Sequence, residues 1–258
     1  MNARLTVLGS GTSMGVPTIG CDCSVCTSSD PRDRRLRPSI LLEYDGHFVL
    51  VDTTPDFREQ AIRERLRTLD AILYTHAHAD HILGLDDVRP LSFHQAGRKI
   101  PLYAHPGTGK QIRKVFQYIF DADYKYGGLP QVELHDFEGP LELFGVTFCP
   151  VPLLHGNAEI LGFRFGSGAY LTDFSEIPAA SMEMLRGLDV LFLDALRHRP
   201  HPTHSTVANS LRIVDELKPR RAFFTHICHD LPHVETNAAL PPHVRLSHDG
   251  LKLEFEIQ

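Results

Sequence analysis

The sequence predicts an α/β fold built from sheet layers covered by helices. Three observations carry this. Short apolar runs bounded by turn residues are the commonest pattern, and helical periodicity is confined to segments between groups of such runs. No linker rich in Pro, Gly or Ser divides the 258 residues, which therefore read as a single domain, 1–258.

In chain order, Leu5–Leu8 is a strand that runs into a glycine-rich loop, GSGTSMG. Ser39–Tyr44 and His47–Asp52 are apolar runs joined by Asp45-Gly46, a dipeptide that tolerates the positive φ angles of a tight hairpin. Phe57–Arg67 reads as a helix, with Ile62 and Leu66 one turn apart. Ala71–Tyr74 is a short buried strand. Gly109–Phe120 is helical, with Ile112, Val115, Phe116 and Ile119 on one face. The second half repeats the pattern. Strands at Val146–Val151, Leu161–Phe165, Ala169–Thr172 and Val190–Leu193 precede a helix over Thr206–Leu217. Arg221–Thr225 is another strand, and a terminal strand pair is expected near Leu246 and Leu251–Ile257. The pattern alone leaves the topology open.

The formal net charge of −6 argues against nucleic acid as a general partner, since such surfaces are usually basic. The run Arg32, Arg34, Arg35 and Arg37 reads as a solvated loop. No apolar stretch approaches the length of a membrane span, and Met1–Ser10 has no signal-peptide pattern, so a cytoplasmic protein is expected. Its five cysteines should be reduced there, and an odd count argues against a full disulfide framework. Cys149, in an apolar run, reads as a small core residue.

Two motifs carry chemistry. GCDCSVC packs Cys21, Cys23 and Cys26 into six residues, a metal-binding spacing that lacks the fourth ligand of a structural zinc. The chain also holds 16 histidines, and THAHADH, Thr75 to His81, follows directly on the strand Ala71–Tyr74. Four potential ligands in six residues crowd a single ion but can serve two, His76 and His78 for one, Asp80 and His81 for the other.

This H-x-H-x-D-H pattern resembles the signature of the metallo-β-lactamase superfamily of hydrolases. The resemblance covers nearly the whole chain, from Leu5 to about Leu251, and implies an αββα sandwich of two mixed β-sheets flanked by helices, with metals at the edge where strand ends gather. It also implies that His76, His78 and His155 hold one metal, that Asp80, His81 and His226 hold a second, and that Asp173 bridges them. Asp52, ending FVLVD, matches a position that organises the histidine loop without binding metal. Asp194, ending VLFLD, is either a similar support or an ordinary turn residue.

The opening LGSGTSMGVPTIGCDCSVC is similar to a PhnP-like subgroup, which contains a phosphoribosyl 1,2-cyclic phosphate phosphodiesterase. That likeness implies that His229 completes the zinc knuckle at residues 21–26, with Cys228 as the rival ligand. The expected cofactors are one structural Zn2+ and two catalytic divalent ions, Zn2+ or Mn2+. Two metals roughly 3.5–4 Å apart can activate water and polarise a phosphoryl oxygen. Asp80 and His204 are the catalytic candidates, His204 as an imidazolium that protonates the leaving group. The GSGTSMG loop with Ser13 is either a close approach to substrate or packed turn chemistry.

The expected function is hydrolysis of a small phosphodiester, with 5-phosphoribosyl 1,2-cyclic phosphate its sharpest version and no membrane partner. A homodimer is left open. Alternatives are an RNase Z-like tRNA 3′-processing nuclease, a PQQ-biosynthesis-like protein and a non-enzymatic metal-binding scaffold.

Overall fold

The computed structural model describes residues 1–95, 97–124 and 127–257. Fourteen strands among them form two seven-stranded sheets. The first contains β1 (Asn2–Gly9), β2 (Ser39–Tyr44), β3 (His47–Val51), β4 (Ala71–Leu73), β5 (Ile100–Ala104) and β6 (Val132–Asp136). The second contains β7 (Leu141–Leu143), β8 (Val146–His155), β9 (Ala158–Phe165), β10 (Gly168–Leu171), β11 (Val190–Asp194), β12 (Arg221–Thr225) and β13 (Val244–Leu246). The last strand, β14 (Lys252–Glu256), returns to the first sheet, whose order is β14-β1-β2-β3-β4-β5-β6. The second sheet runs β13-β12-β11-β10-β9-β8-β7.

Alternation along each strand explains the sandwich. Ile40, Leu42, Val49 and Val51 face inward and meet Phe148, Phe163, Tyr170 and Phe192 of the other sheet. Leu41 and Leu50 face outward, under a helical layer that includes Phe57, Ile112 and Phe116. In β11, Val190 and Phe192 point to the inner layer, whereas Leu191 and Leu193 meet Val207, Ile213 and Leu217 of the helix Val207–Leu217. Strands covered on both faces must be apolar on both, which is why they read as continuous apolar runs.

Several boundaries differ from the sequence reading. The first helix stops at Arg63, because Arg65 adopts a left-handed backbone (φ 54°). The span Gly109–Phe120 breaks at Phe116 into Pro106–Val115 and Gln117–Phe120. The terminal strands do not pair: β14 lies antiparallel to β1, with Leu5 opposite Leu253, and β13 lies parallel to β12 in the other sheet. Cys149 is half-buried on β8, outside the apolar clusters. Arg35 is only 1% exposed, so it is no solvated loop residue. Among the described residues, no helix is long and apolar enough to cross a membrane.

The parallel runs matter most. Strands β3 to β6 are mutually parallel, as are β10 to β13. Registers such as Val51 with Leu73 and Asp194 with Thr225 bring their C-terminal ends level. Open parallel sheets bind ligands at this edge, where connecting loops meet. Gly84 closes it: a Cβ there would lie 1.9 Å from the Thr54 carbonyl oxygen, so only glycine lets the segment after the histidine loop approach β3.

Candidate active site and metal-ligand clusters

Each strand end delivers one or more polar side chains. Asp52 follows β3, Thr75 and His76 follow β4, His155 ends β8, Asp173 follows β10, Asp194 ends β11 and His226 follows β12. Asp52, Asp173 and His226 have φ of 65°, 61° and 56°. A left-handed backbone at a non-glycine residue costs about 1 kcal/mol or more, and such strain concentrates at functional sites. Here it turns the chain sharply at the strand end.

The histidines fall into two groups. His76 Nε2 lies 3.0 Å from His78 Nδ1, and the His155 ring centre is 5.8 Å from that of His76 and 5.1 Å from that of His78. His155 Nδ1–H donates to the Thr203 carbonyl at 2.8 Å, which leaves Nε2 with its lone pair. In the second group, Asp80 Oδ2 lies 3.2 Å from His81 Nε2 and 3.8 Å from His226 Nε2. Asp173 touches both groups. Its Oδ2 is 3.4 Å from His76 Nε2 and 2.7 Å from His81 Nε2, and its Oδ1 is 2.7 Å from His226 Nε2.

Asp52 and Asp194 stand behind this layer. Both are fully buried. Asp52 Oδ1 accepts from Thr75 N at 2.9 Å, and Oδ2 accepts from Thr75 Oγ1 at 2.8 Å and His81 Nδ1 at 2.7 Å. Asp194 Oδ2 accepts from His204 Nδ1 at 2.9 Å, so it supports a side chain and is no mere turn residue. The His204 ring stacks on His226 at 4.6 Å and lies 4.8 Å from His155.

A separate cluster lies at the knuckle. His229 Nδ1 is 3.2, 3.5 and 3.3 Å from the sulfurs of Cys21, Cys23 and Cys26. The Cys228 thiol stays outside that group and accepts instead from Asp230 N at 3.3 Å. Main-chain bonds tie the two sites together: Ile227 N donates to Ser10 O at 2.9 Å and Thr12 N donates to Ile227 O at 3.2 Å. Arg35 braces the same segment, donating to the carbonyls of Cys228 at 2.7 Å and Leu231 at 2.5 Å and to Asp33 at 3.0 Å. The glycine loop is packed: Ser13 O accepts from Arg37 Nε at 3.1 Å, and a Cβ on Gly11 would meet Arg35 O at 2.6 Å.

A beta-lactamase superfamily domain model matches residues 47–227. A solved structure titled as a new diphosphatase from the PhnP family is 64% identical, covering 100% of this chain and 98% of its own, with a TM-score of 0.95.

The chain belongs to the PhnP family of the metallo-β-lactamase superfamily.

A protein of Porphyromonas gingivalis (strain ATCC BAA-308 / W83) named octanoyltransferase is 38% identical over 254 residues, 96% of this chain and 51% of its own length. The chain thus spans about half of that curated relative. The Zn2+-bound PqqB from Methylobacterium extorquens shares the fold at 19% identity, with a TM-score of 0.79 and coverage of 97% and 99%.

The electrostatics of this PhnP-family site suit cations. Burial pulls the His81 imidazole down, yet Asp173, Asp80 and Asp52 outweigh it and hold its pKa well above the usual value. Burial likewise opposes His226, but Asp173, Asp80 and Asp194 raise it to about 10. Asp173 stays well below the carboxylate range despite its burial, because His226 and His81 surround it. Carboxylates thus demand positive charge at ring nitrogens that a metal would take in place of protons. The buried atoms His81 Nε2 and His226 Nε2 have no hydrogen-bond partner among the described residues, although both face Asp173 oxygens. The ligand atoms of Asp80, His81, Asp173 and His226 all lie within 4.8 Å of one another, as do those of Cys21, Cys23, Cys26 and His229. Both donor sets fit divalent metal: mixed nitrogen and oxygen in the first, thiolate and imidazole in the second.

His204 differs from the sequence expectation in its charge. Burial, then the neighbouring His226, pushes its pKa down to about 4, so the imidazole is neutral at pH 7. Sequence reasoning also missed Thr75, Thr203 and Arg35, which hold site residues in place. Thr75 precedes the histidine motif and could have been found there. Thr203 carries no local signal, and nothing in the arginine run marks Arg35.

Proposed function

We propose that this metal-dependent hydrolase cleaves phosphodiesters by water attack at phosphorus, using two divalent ions. Asp173, in contact with both histidine groups, is the observation that carries the reading. His76, His78 and His155 would hold one ion, Asp80, His81 and His226 the other, and Asp173 both. Cys21, Cys23, Cys26 and His229 would hold a structural zinc. When bound, the paired ions supply an activated water and neutralise charge on the phosphoryl oxygens.

The chain's own residues supply orientation and proton handling. Asp52 keeps a proton on His81 Nδ1 and so leaves Nε2 free, and the Thr203 carbonyl does the same for His155. Asp194 holds His204 beside His226. As water forms the new P–O bond and the old one breaks, the departing oxygen takes up a proton; His204 faces that task once the substrate's negative charge raises its pKa.

Cyclic ribose phosphate is the first substrate class. The second is a diphosphate linkage, favoured by the 64% identical PhnP-family diphosphatase. Its leaving group is a phosphate, which departs without help more readily than an alkoxide. The name octanoyltransferase belongs to a relative half of which this chain does not match, and no residue described above points to acyl transfer.

The test is a panel of bis-p-nitrophenyl phosphate, a ribose cyclic phosphate and a diester of diphosphate, each with Mn2+ or Zn2+. Hydrolysis of the cyclic compound supports the first class, and hydrolysis of the diphosphate alone shifts the reading to the second. Failure of all three, with metal content verified, overturns the proposal and favours a metal-binding scaffold.

A further inference from the structure

His201 is half-buried and stands outside every metal-ligand group described. Its ring centre lies 4.9 Å from that of His204, which in turn lies 4.8 Å from His155 and 4.6 Å from His226. His201 therefore stands beside His204, whose ring also neighbours His155 and His226.

Its tautomer is fixed by the backbone. His201 Nδ1 accepts from Thr203 N at 3.3 Å and lies 3.2 Å from Thr203 Oγ1. A peptide N–H can only donate, so Nδ1 carries the lone pair and Nε2 carries the proton. No hydrogen bond to a described residue engages that Nε2–H, and it is not among the buried partnerless atoms. It is an accessible, directed donor.

The support is rigid. The Thr203 carbonyl takes His155 Nδ1–H at 2.8 Å while the Thr203 amide holds His201, so one residue positions both imidazoles. Thr203 is also pressed against Gly156 (φ 61°), where an added Cβ would lie 3.0 Å from Thr203 Cγ2. The two outer rings are complementary. His204 gives its Nδ1–H to Asp194, whereas His201 keeps Nδ1 for the Thr203 amide and presents its Nε2–H. A negatively charged phosphoryl oxygen needs the donor.

We propose that His201 is a substrate-contact residue that donates Nε2–H to a nonbridging phosphate oxygen. It sets affinity for the phosphorylated substrate and leaves proton delivery to His204. This rests on the phosphohydrolase reading above. A preorganised donor on an anion costs no rearrangement when substrate arrives.

Three variants separate contact from turn support. His201→Asn keeps an oxygen near the Nδ1 position and loses the distal donor. His201→Gln loses the proximal acceptor but can carry an N–H near the Nε2 position. His201→Ala loses both. Titration of the metal-loaded protein with inorganic phosphate, followed by calorimetry, measures affinity without any assumption about substrate. A hydrogen bond to a charged group predicts roughly tenfold to hundredfold weaker phosphate binding for Ala and Asn, with partial recovery in Gln. Metal content should match the unmodified protein in all three, and in any active assay KM should rise more than kcat falls.

The proposal is overturned if Asn restores affinity while Gln does not, which makes the residue a turn support. It is also overturned if all three bind phosphate as the unmodified protein does, or if the unmodified protein binds none. Phosphate binding that depends on His201 in a protein that hydrolyses no phosphate ester would leave this inference standing and sink the proposed function instead.

Discussion

Asp52→Asn tests how the chain selects the nitrogen that faces the metal. Thr75 N can only donate, and it points at Oδ1 from 2.9 Å, so the asparagine must place its carbonyl there. The amide NH2 then occupies the Oδ2 position, facing Thr75 Oγ1 at 2.8 Å and His81 Nδ1 at 2.7 Å. Thr75 Oγ1 can rotate to accept. His81 Nδ1 must lose its proton to accept, which moves the proton to Nε2, the atom 2.7 Å from Asp173 and 3.2 Å from Asp80. The ring then offers N–H where a lone pair is needed. Support residues of this kind contribute roughly tenfold to hundredfold in metal affinity. Replacing two charge-assisted hydrogen bonds by weaker ones should also destabilise the fold by about 2–3 kcal/mol. The assay is chelator competition with metal quantified per chain, alongside denaturant unfolding. Knuckle metal, whose ligands do not touch Asp52, serves as the internal control. If the variant keeps all its metal against the same chelator, and its activity, then Asp52 does not set the His81 tautomer and the reasoning fails.

On the proposed zinc knuckle, Cys21→Ser should lose one metal ion per chain and lower the melting temperature by several degrees, because metal binding supplies folding free energy; unchanged metal content would remove Cys21 from the site. On the proposed mechanism, His204→Ala should keep the active-site metal content of the unmodified protein and lose rate by roughly 10²–10⁴-fold on an alkyl leaving group, with a smaller loss on nitrophenolate, which needs no proton. An equal loss on both leaving groups would point to positioning. Asp249 lies apart from the metal ligands and accepts from Ser10 N at 2.9 Å, Ser10 Oγ at 2.8 Å and Leu36 N at 2.9 Å, and burial pushes its carboxyl up from 3.8 to about 6. A carboxyl raised in the fold adds stability that is complete below its unfolded pKa and is lost as pH rises through the folded one. Asp249→Asn does not titrate, so its stability deficit against the unmodified protein should shrink between pH 4 and pH 7, by about 2–3 kcal/mol. A gap independent of pH, measured by denaturant unfolding, would contradict this.

Much of the architecture was legible because its signals are local. Alternating apolar runs around Asp45-Gly46 specify β2 and β3, and the spacing in THAHADH is a property of seven consecutive residues. Boundaries were less so. Phe116 and Arg65 break helical runs whose side-chain periodicity continues past them, since periodicity reports the face and not the backbone angle. β5, β6 and β7 went unassigned in the sequence, and only their pairing with neighbours marks them out.

By itself the sequence determined the superfamily and the candidate ligands, because motif spacing and strand-end position are written in short stretches of chain. Tertiary structure decided four further matters. It brought His229 to the three cysteines across 208 residues of chain, the ligand the family resemblance implied and that no local pattern could choose over Cys228. It buried Arg35 against the carbonyls that flank that histidine. It also sent the last two strands to opposite sheets and placed His201 and His155 on the two sides of Thr203. In each case the deciding partner is distant in sequence, or a backbone group common to every residue, so no local pattern could announce it.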